Sequence, residues 1–319
     1  MKLTFDEIRA LAHGADHIRE EADDLHFYKC TEAQEEVWVE FKMPRTTVRA
    51  TTGIRLEFET DAEAISFTAP SGDKFEVWID HLFRCQILAN ELREKGETPT
   101  VTLEPGTKRV MLALPSHSCG VLSSLSLDGA TFARPVKYEK KMLFLGDSIT
   151  QGWESKYDTL SYAYRTAMAL GVDFHICGLG GARYIPKTFD RVNFEPDTVV
   201  LSYGTNDFSP SHRTFEENLA NINGYFDLVK KAYADRRVVV ITPIWRAHQS
   251  AEWHSIARTT IANAALEHGF EVVNGETLFP QNSVFFADGC THPNDLGFSI
   301  YAENLIAYFN HPKKKGESL

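Results

Sequence analysis

The chain has 319 residues, 43% of them hydrophobic and 24% charged, with a formal net charge of -11. That length exceeds what one typical core needs and suits two domains. The acidic balance argues against an electrostatic hold on nucleic acid or an anionic membrane, since both require clustered Lys and Arg.

The one basic run, residues 313–315, reads as a solvated tail. The five cysteines (Cys30, Cys85, Cys119, Cys177, Cys290) are odd in number and form no CxxC pair, so neither a disulfide framework nor a zinc cluster is expected. The opening MKLTFDEIRALAHGADHIREE is amphipathic and acidic, without the basic start and apolar stretch of a signal peptide. No run approaches a membrane-spanning length, and the expected location is the cytoplasm.

Between about 37 and 127 the pattern is short and alternating: VWVEFKM, IRLEFET, AISFTA, KFEVWID, RCQILA, TVTLEP, KRVMLALP, VLSSLSL. Turn signals such as Ser71-Gly72-Asp73, Glu104-Pro105-Gly106 and Asp128-Gly129 separate the runs. The expectation for 1–136 is an all-β, jelly-roll-like sandwich.

The rhythm changes after Pro135, so a second domain is expected over 137–319. KMLFLG is followed by a helix over 158–170 stopped by Gly171, then VDFHICG, DTVVLSYG and a long amphipathic stretch over 215–234. RVVVITP, a helix over 252–268, FEVVN and a final helix over 293–309 complete the chain. Strict alternation of strand and helix means α/β with a parallel sheet covered on both faces. In such sheets the sites gather at the carboxyl ends of the strands.

Four signals fall at that edge. In KMLFLGDSITQG a buried strand ends on Gly146-Asp147-Ser148, and a serine becomes nucleophilic when exposed at such a turn beside a base. Alone it would be an ordinary turn. HICGLGGARY has three glycines in four positions, which lets backbone N–H groups approach a substrate, or simply makes a tight turn. Its spacing is not a dinucleotide fingerprint, and no GKS or GKT follows a glycine-rich loop. LSYGTND ends on Asn206, whose amide can donate to an oxyanion or cap a turn. FADGCTHPNDLGF carries His292 before a proline-led helix, with Asp288 four positions earlier. Asp288, Cys290 and His292 also read as metal ligands, but no other ligand cluster supports that, and neither metal nor cofactor is expected.

In this order the set resembles the SGNH (GDSL-like) hydrolases over roughly 141–309. The resemblance implies a flavodoxin-like three-layer α/β/α domain and ester hydrolysis through an acyl-serine intermediate. Carried across, Ser148 is the nucleophile and donates its backbone N–H to the oxyanion. Gly181 is the second-block donor, with Gly180 and Gly178 as alternatives, and Asn206 the third. His292 is the base, needed neutral for attack, and Asp288 orients it. The family usually has two residues between this acid and histidine, whereas here there are three (Gly289, Cys290, Thr291). Some relatives use a Ser-His dyad, so Asp288→Asn is expected to slow acyl transfer much less than His292→Ala.

Trp245 and Arg246, just after VVVITP, are expected at the Ser148 edge: an indole to stack on a sugar or wall an acyl pocket, and a guanidinium for a substrate hydroxyl or carboxylate. Trp245 could equally pack the 252–268 helix. Trp153 is a second rim aromatic. The two-domain order resembles family-two carbohydrate esterases, which implies an acetylated oligosaccharide as substrate. The rivals are a broad short-chain esterase or thioesterase and a silent carbohydrate-binding protein. Homo-oligomerisation stays open.

Overall fold

The structure, a computed structural model, describes residues 1–208 and 214–311, so the basic run 313–315 lies outside the described residues. The chain divides into two compact units: Met1–Glu139 with Val192–Phe194, and Lys140–Arg191 with the residues from Glu195 onward.

The first unit holds three antiparallel sheets. In the largest, Arg55–Thr60 pairs with Lys108–Ala113, which pairs with Lys74–Ile79, and Leu82–Leu88 follows. A second joins Ser124–Asp128, Ala64–Thr68 and Thr100–Thr102. A third joins Val121–Leu122, Asp24–Tyr28 and His17–Glu21. The alternation read from sequence has its counterpart in burial, since Ile65, Phe67, Leu125 and Leu127 turn inward from their strands. They meet Phe58, Phe75, Val77 and Leu112 from the largest sheet in one apolar core.

Two expectations fail here. VWVEFKM is not a strand: its first four residues finish the helix Glu32–Glu40. Thr31 accepts the Gln34 N–H while the Gln34 side chain accepts the Thr31 N–H, and this capping box starts a helix that the Val and Trp side chains then follow, burying Trp38. The unit is also not all-β, because helices Phe5–Leu11 and Ala89–Lys95 belong to it.

The second unit contains β1 (Lys141–Gly146), α1 (Ser148–Gln151), α2 (Tyr162–Leu170), β2 (Asp173–Gly178), β3 (Thr198–Ser202) and α3 (Phe215–Ala232). It continues with β4 (Arg237–Ile241), α4 (Ala251–Glu267), β5 (Glu271–Val273), α5 (Gly275–Leu278) and α6 (Asp295–Asn310). The sheet is parallel in the order β2-β1-β3-β4-β5, a doubly wound arrangement whose order reverses at β1. Helix α2 packs against α6, and α3 against α4. Right-handed crossovers on either side of the reversal put these pairs on opposite faces.

Local chemistry sets the helix limits. Ser161 caps α2 and Gly171, at φ 63°, ends it; Thr214 caps α3 with Glu217 reaching back. The last helix departs from expectation: it begins at Asp295 behind an Asn294 cap. Pro293 instead bridges to Phe286. Among the described residues, no helix is long and apolar enough to cross a membrane.

The turn after β1 is brought hard against β2. A Cβ on Gly178 would sit 2.4 Å from the Gln151 backbone nitrogen, whereas one on Gly180 would meet only the Gln151 side chain at 3.6 Å. Gly178→Ala is therefore expected to cost about 2 kcal/mol or more in urea unfolding, and Gly180→Ala far less. Equal, small losses would show that α1 can move away from β2.

Candidate active site

β1 ends at Gly146 and the chain turns into α1, with Asp147 capping the helix by accepting the Ile149 N–H at 2.9 Å. Ser148 is the first residue of α1, so its own N–H has no partner within the helix. Its side chain reaches the loop before α6: Ser148 Oγ lies 2.9 Å from His292 Nε2. His292 Nδ1 lies 2.8 Å from Asp288 Oδ2.

The extra residue between Asp288 and His292 is absorbed by a compact turn. Asp288 Oδ1 accepts the backbone N–H groups of Cys290 (2.9 Å), Thr291 (2.8 Å) and His292 (3.1 Å). Gly289 takes a φ of 75°, which a side chain would resist. The turn is closed behind by Ala287 N–H to His292 O and Asn294 N–H to Phe285 O, both 2.9 Å. Partial burial would raise the Asp288 pKa, but the three N–H groups and the imidazole outweigh it and hold the carboxyl well below the usual carboxylate range. As a fixed anion it accepts from Nδ1–H, leaving Nε2 to accept the Ser148 hydroxyl proton. Asp288 thus stands in line with Ser148 and His292.

The glycine loop resolves its own ambiguity. Gly180 N–H is taken by Gln151 Oε1 at 2.8 Å. Gly178 is a buried strand residue pressed on α1. Gly181 is exposed, at φ 76°, and among the described residues its N–H meets no protein acceptor. Asn206 Nδ2 donates to Ala182 O at 3.0 Å, which fixes the amide and leaves a second N–H on the same nitrogen. Trp153, 38% exposed, places its ring 6.4 Å from the His292 ring.

Trp245 takes the packing place that was one of its two readings, whereas Arg246 is placed differently from expectation. Trp245 is half-buried, stacked on His254 with ring centroids 6.5 Å apart and tilted against Phe286 at 5.8 Å, so it packs α4 onto the end of β4. Arg246 does not present its fork to a substrate. Its Nη1 donates to Thr205 O and its Nη2 to Thr291 Oγ1, each at 2.9 Å, and the guanidinium lies over Trp253. Among the described residues, no group of three His, Cys, Asp or Glu side chains is placed to hold a metal ion.

Residues 144–300 match the sequence profile of the GDSL-like Lipase/Acylhydrolase family. They form a GDSL-like acylhydrolase domain. A curated relative, the acetylxylan esterase / glucomannan deacetylase of Cellvibrio japonicus (strain Ueda107), is 25% identical over 56% of this chain, and the match spans 57% of the relative's length. Among solved structures, the salicylyl-acyltransferase SsfX3 from a tetracycline biosynthetic pathway is 18% identical, with a TM-score of 0.79 over 94% of this chain and 93% of its own. A family two carbohydrate esterase from Clostridium thermocellum in complex with cellohexaose is 20% identical, with a TM-score of 0.65 over 82% of this chain and 93% of its own.

Three residues of the acylhydrolase domain escaped the sequence reading as supports of the site: Gln151, Asp207 and, in its actual role, Arg246. Asp207 is buried and accepts Tyr184 N–H (2.9 Å) and Gly204 N–H (3.1 Å), clamping the glycine loop to the loop of Asn206. The adjacency of Asp207 to Asn206 in GTND was the available signal. Arg246 ties the Asn206 loop to the His292 loop.

Asp147 carries a strain of its own. Burial, with Asp207 adding repulsion, pushes its carboxyl up to about 7, although the Ile149 N–H and Arg246 pull the other way. The folded state therefore keeps a proton that the unfolded chain sheds near pH 4, and stability from this group falls between about pH 4 and 7. Asp147→Asn keeps the cap acceptor and removes the ionisation. In thermal or urea unfolding its advantage over wild type is expected to grow from pH 5 to pH 8, by on the order of a few kcal/mol at most. A pH-independent difference would contradict this.

Proposed function

We propose that the chain is a carboxylic ester hydrolase, a serine esterase that removes short acyl groups, acetyl foremost, from carbohydrate hydroxyls. The observation that supports this most is the continuous relay from Ser148 Oγ through His292 to Asp288, with contacts of 2.9 and 2.8 Å. In this reading Ser148 Oγ attacks the ester carbonyl as its proton passes to Nε2. The oxyanion is met by the N–H groups of Ser148 and Gly181 and by the Asn206 amide. On collapse the bond to the sugar oxygen breaks, and that oxygen takes the proton from Nε2. Water then repeats the cycle on the acyl-serine, releasing the acid. Throughout, Nδ1 keeps its proton and donates to Asp288 Oδ2, whose anion stabilises the imidazolium.

The substrate class rests on kinship. The curated relative carries the name acetylxylan esterase / glucomannan deacetylase, and a solved neighbour of the same fold holds cellohexaose. Trp153, exposed beside His292, suits a wall for a sugar or acyl group. In the same reading, the six-stranded sheet and the three-stranded sheet of Ser124–Asp128, Ala64–Thr68 and Thr100–Thr102, sharing one core, form a jelly-roll-like sandwich.

The test is acetate release from acetylated xylo- and manno-oligosaccharides, beside p-nitrophenyl acetate and octanoate, with Ser148→Ala in parallel. A Ser148-dependent preference for the sugars is expected. Activity on nitrophenyl esters alone removes the sugar reading. Asn206→Ala is expected to lower kcat by roughly a hundred- to thousand-fold with little change in KM; an effect confined to KM would make it a positioning group. Asp288→Asn is expected to cost about a thousand-fold or more in kcat, approaching His292→Ala. A loss below about tenfold would restore the dyad.

A further inference from the structure

Residues 245–254 (WRAHQSAEWH) follow β4, enter α4 and close on themselves at His254. We propose that His254, which the reacting atoms never touch, is a positioning residue that holds both His292 and the Asn206 amide in place through Arg246 and Ala247. This inference deepens the esterase reading and rests on it.

His254 lies in the first turn of α4 and is 5% exposed. Its Nε2 accepts the Arg246 backbone N–H at 3.0 Å, and its Nδ1 donates to Ser250 O at 2.8 Å. A backbone N–H only donates and a carbonyl only accepts, so the two bonds fix a neutral ring protonated on Nδ1. Trp245 lies parallel to that ring at 6.5 Å and Trp253 meets it edge-on at 5.1 Å, which sets its plane.

Two links run from there to the site. Arg246 Nη1 donates to Thr205 O, one residue before Asn206, and Nη2 to Thr291 Oγ1, one residue before His292, each at 2.9 Å. Ala247 N–H donates to Cys290 O at 3.1 Å, on the turn that carries His292. The Arg246 backbone is the root of both links, and the His254 ring holds it. A misplacement of about 1 Å at the reacting groups, caused by a change far from the chemistry, costs up to about a hundredfold in rate.

Only a neutral His254 serves. A proton on Nε2 would set two donors face to face and release Arg246. The charged groups that face the ring are Arg258 and Arg246 as cations and Glu276 as an anion. Burial lowers its pKa and the two cations add to this, against the pull of Ser250 O and Glu276. The support is thus intact near neutrality and is lost on acidification below the ordinary histidine range, as Nε2 gains its proton.

The test compares His254→Gln, whose amide oxygen stands where Nε2 does and does not titrate, with His254→Leu, which has no acceptor. Ser250 O also accepts the His254 backbone N–H at 3.1 Å, so neither variant leaves it unpaired. On p-nitrophenyl acetate, His254→Leu is expected to lower kcat about ten- to a hundredfold with little change in KM, and His254→Gln to keep most of it. Wild-type kcat is expected to fall on acidification more steeply than one proton accounts for, and His254→Gln to restore a one-proton limb. Ring-nitrogen NMR of the Ser148→Ala protein, which needs no turnover, is expected to show His254 as the Nδ1–H tautomer. Wild-type kcat in His254→Leu, equal losses in both variants, an unaltered acid limb in His254→Gln, or an Nε2–H tautomer each overturns the inference, while wild-type turnover leaves the esterase reading standing. Absence of Ser148-dependent turnover in the wild type overturns that reading and the inference with it.

Discussion

The site is organised around one carboxylate. One oxygen of Asp288 gathers three consecutive backbone N–H groups and the other faces the His292 ring. The same anion therefore folds the loop and sets the tautomer of His292. Because the three N–H groups hold the carboxyl ionised, His292 meets a committed acceptor on one side and the serine hydroxyl on the other. A loop with one residue fewer is not required: the left-handed Gly289 lets the longer turn close on the same oxygen.

Around that carboxylate, the remaining groups are held by hydrogen bonds from one loop to the next. Gln151 on the serine's own helix receives the Gly180 N–H, Ala182 receives the Asn206 amide, and Asp207 clamps Tyr184 and Gly204. Arg246 closes the circuit between Thr205 and Thr291. In the proposed reading, donors fixed before substrate arrives need no reorganisation when charge develops on the oxyanion. The cost is concentrated in buried ionisable groups at Asp147, Asp207 and Arg246, tolerated because each has protein partners or an opposite charge nearby.

Much of this was legible beforehand, and the reasons are specific. The buried runs of β1, β3 and β4, each followed by a helix, admit a parallel sheet and little else, and the sheet edge then collects Ser148, Asn206 and His292. Elsewhere, side-chain pattern misled where capping chemistry decides: Thr31 and Gln34 make a helix of a run that alternates like a strand. Arg246 illustrates another limit. A long cation at a strand's end looks like a substrate ligand until its neighbours are known, and only the fold brings Thr205 and Thr291 to its two amino groups. Likewise, spacing alone left the place of Asp288 open, since a turn's closure depends on which oxygen receives which N–H.

The central claim is that the Asp288-bound imidazole makes Ser148 a nucleophile, and covalent trapping addresses it without assuming any substrate. Incubation with an alkyl fluorophosphonate, followed by intact mass and peptide mapping, reads that reactivity. The account predicts one adduct per chain, on Ser148, absent in Ser148→Ala and formed at least about a hundredfold more slowly in Asp288→Asn. An adduct elsewhere, or a labelling rate unchanged in Asp288→Asn, would contradict it.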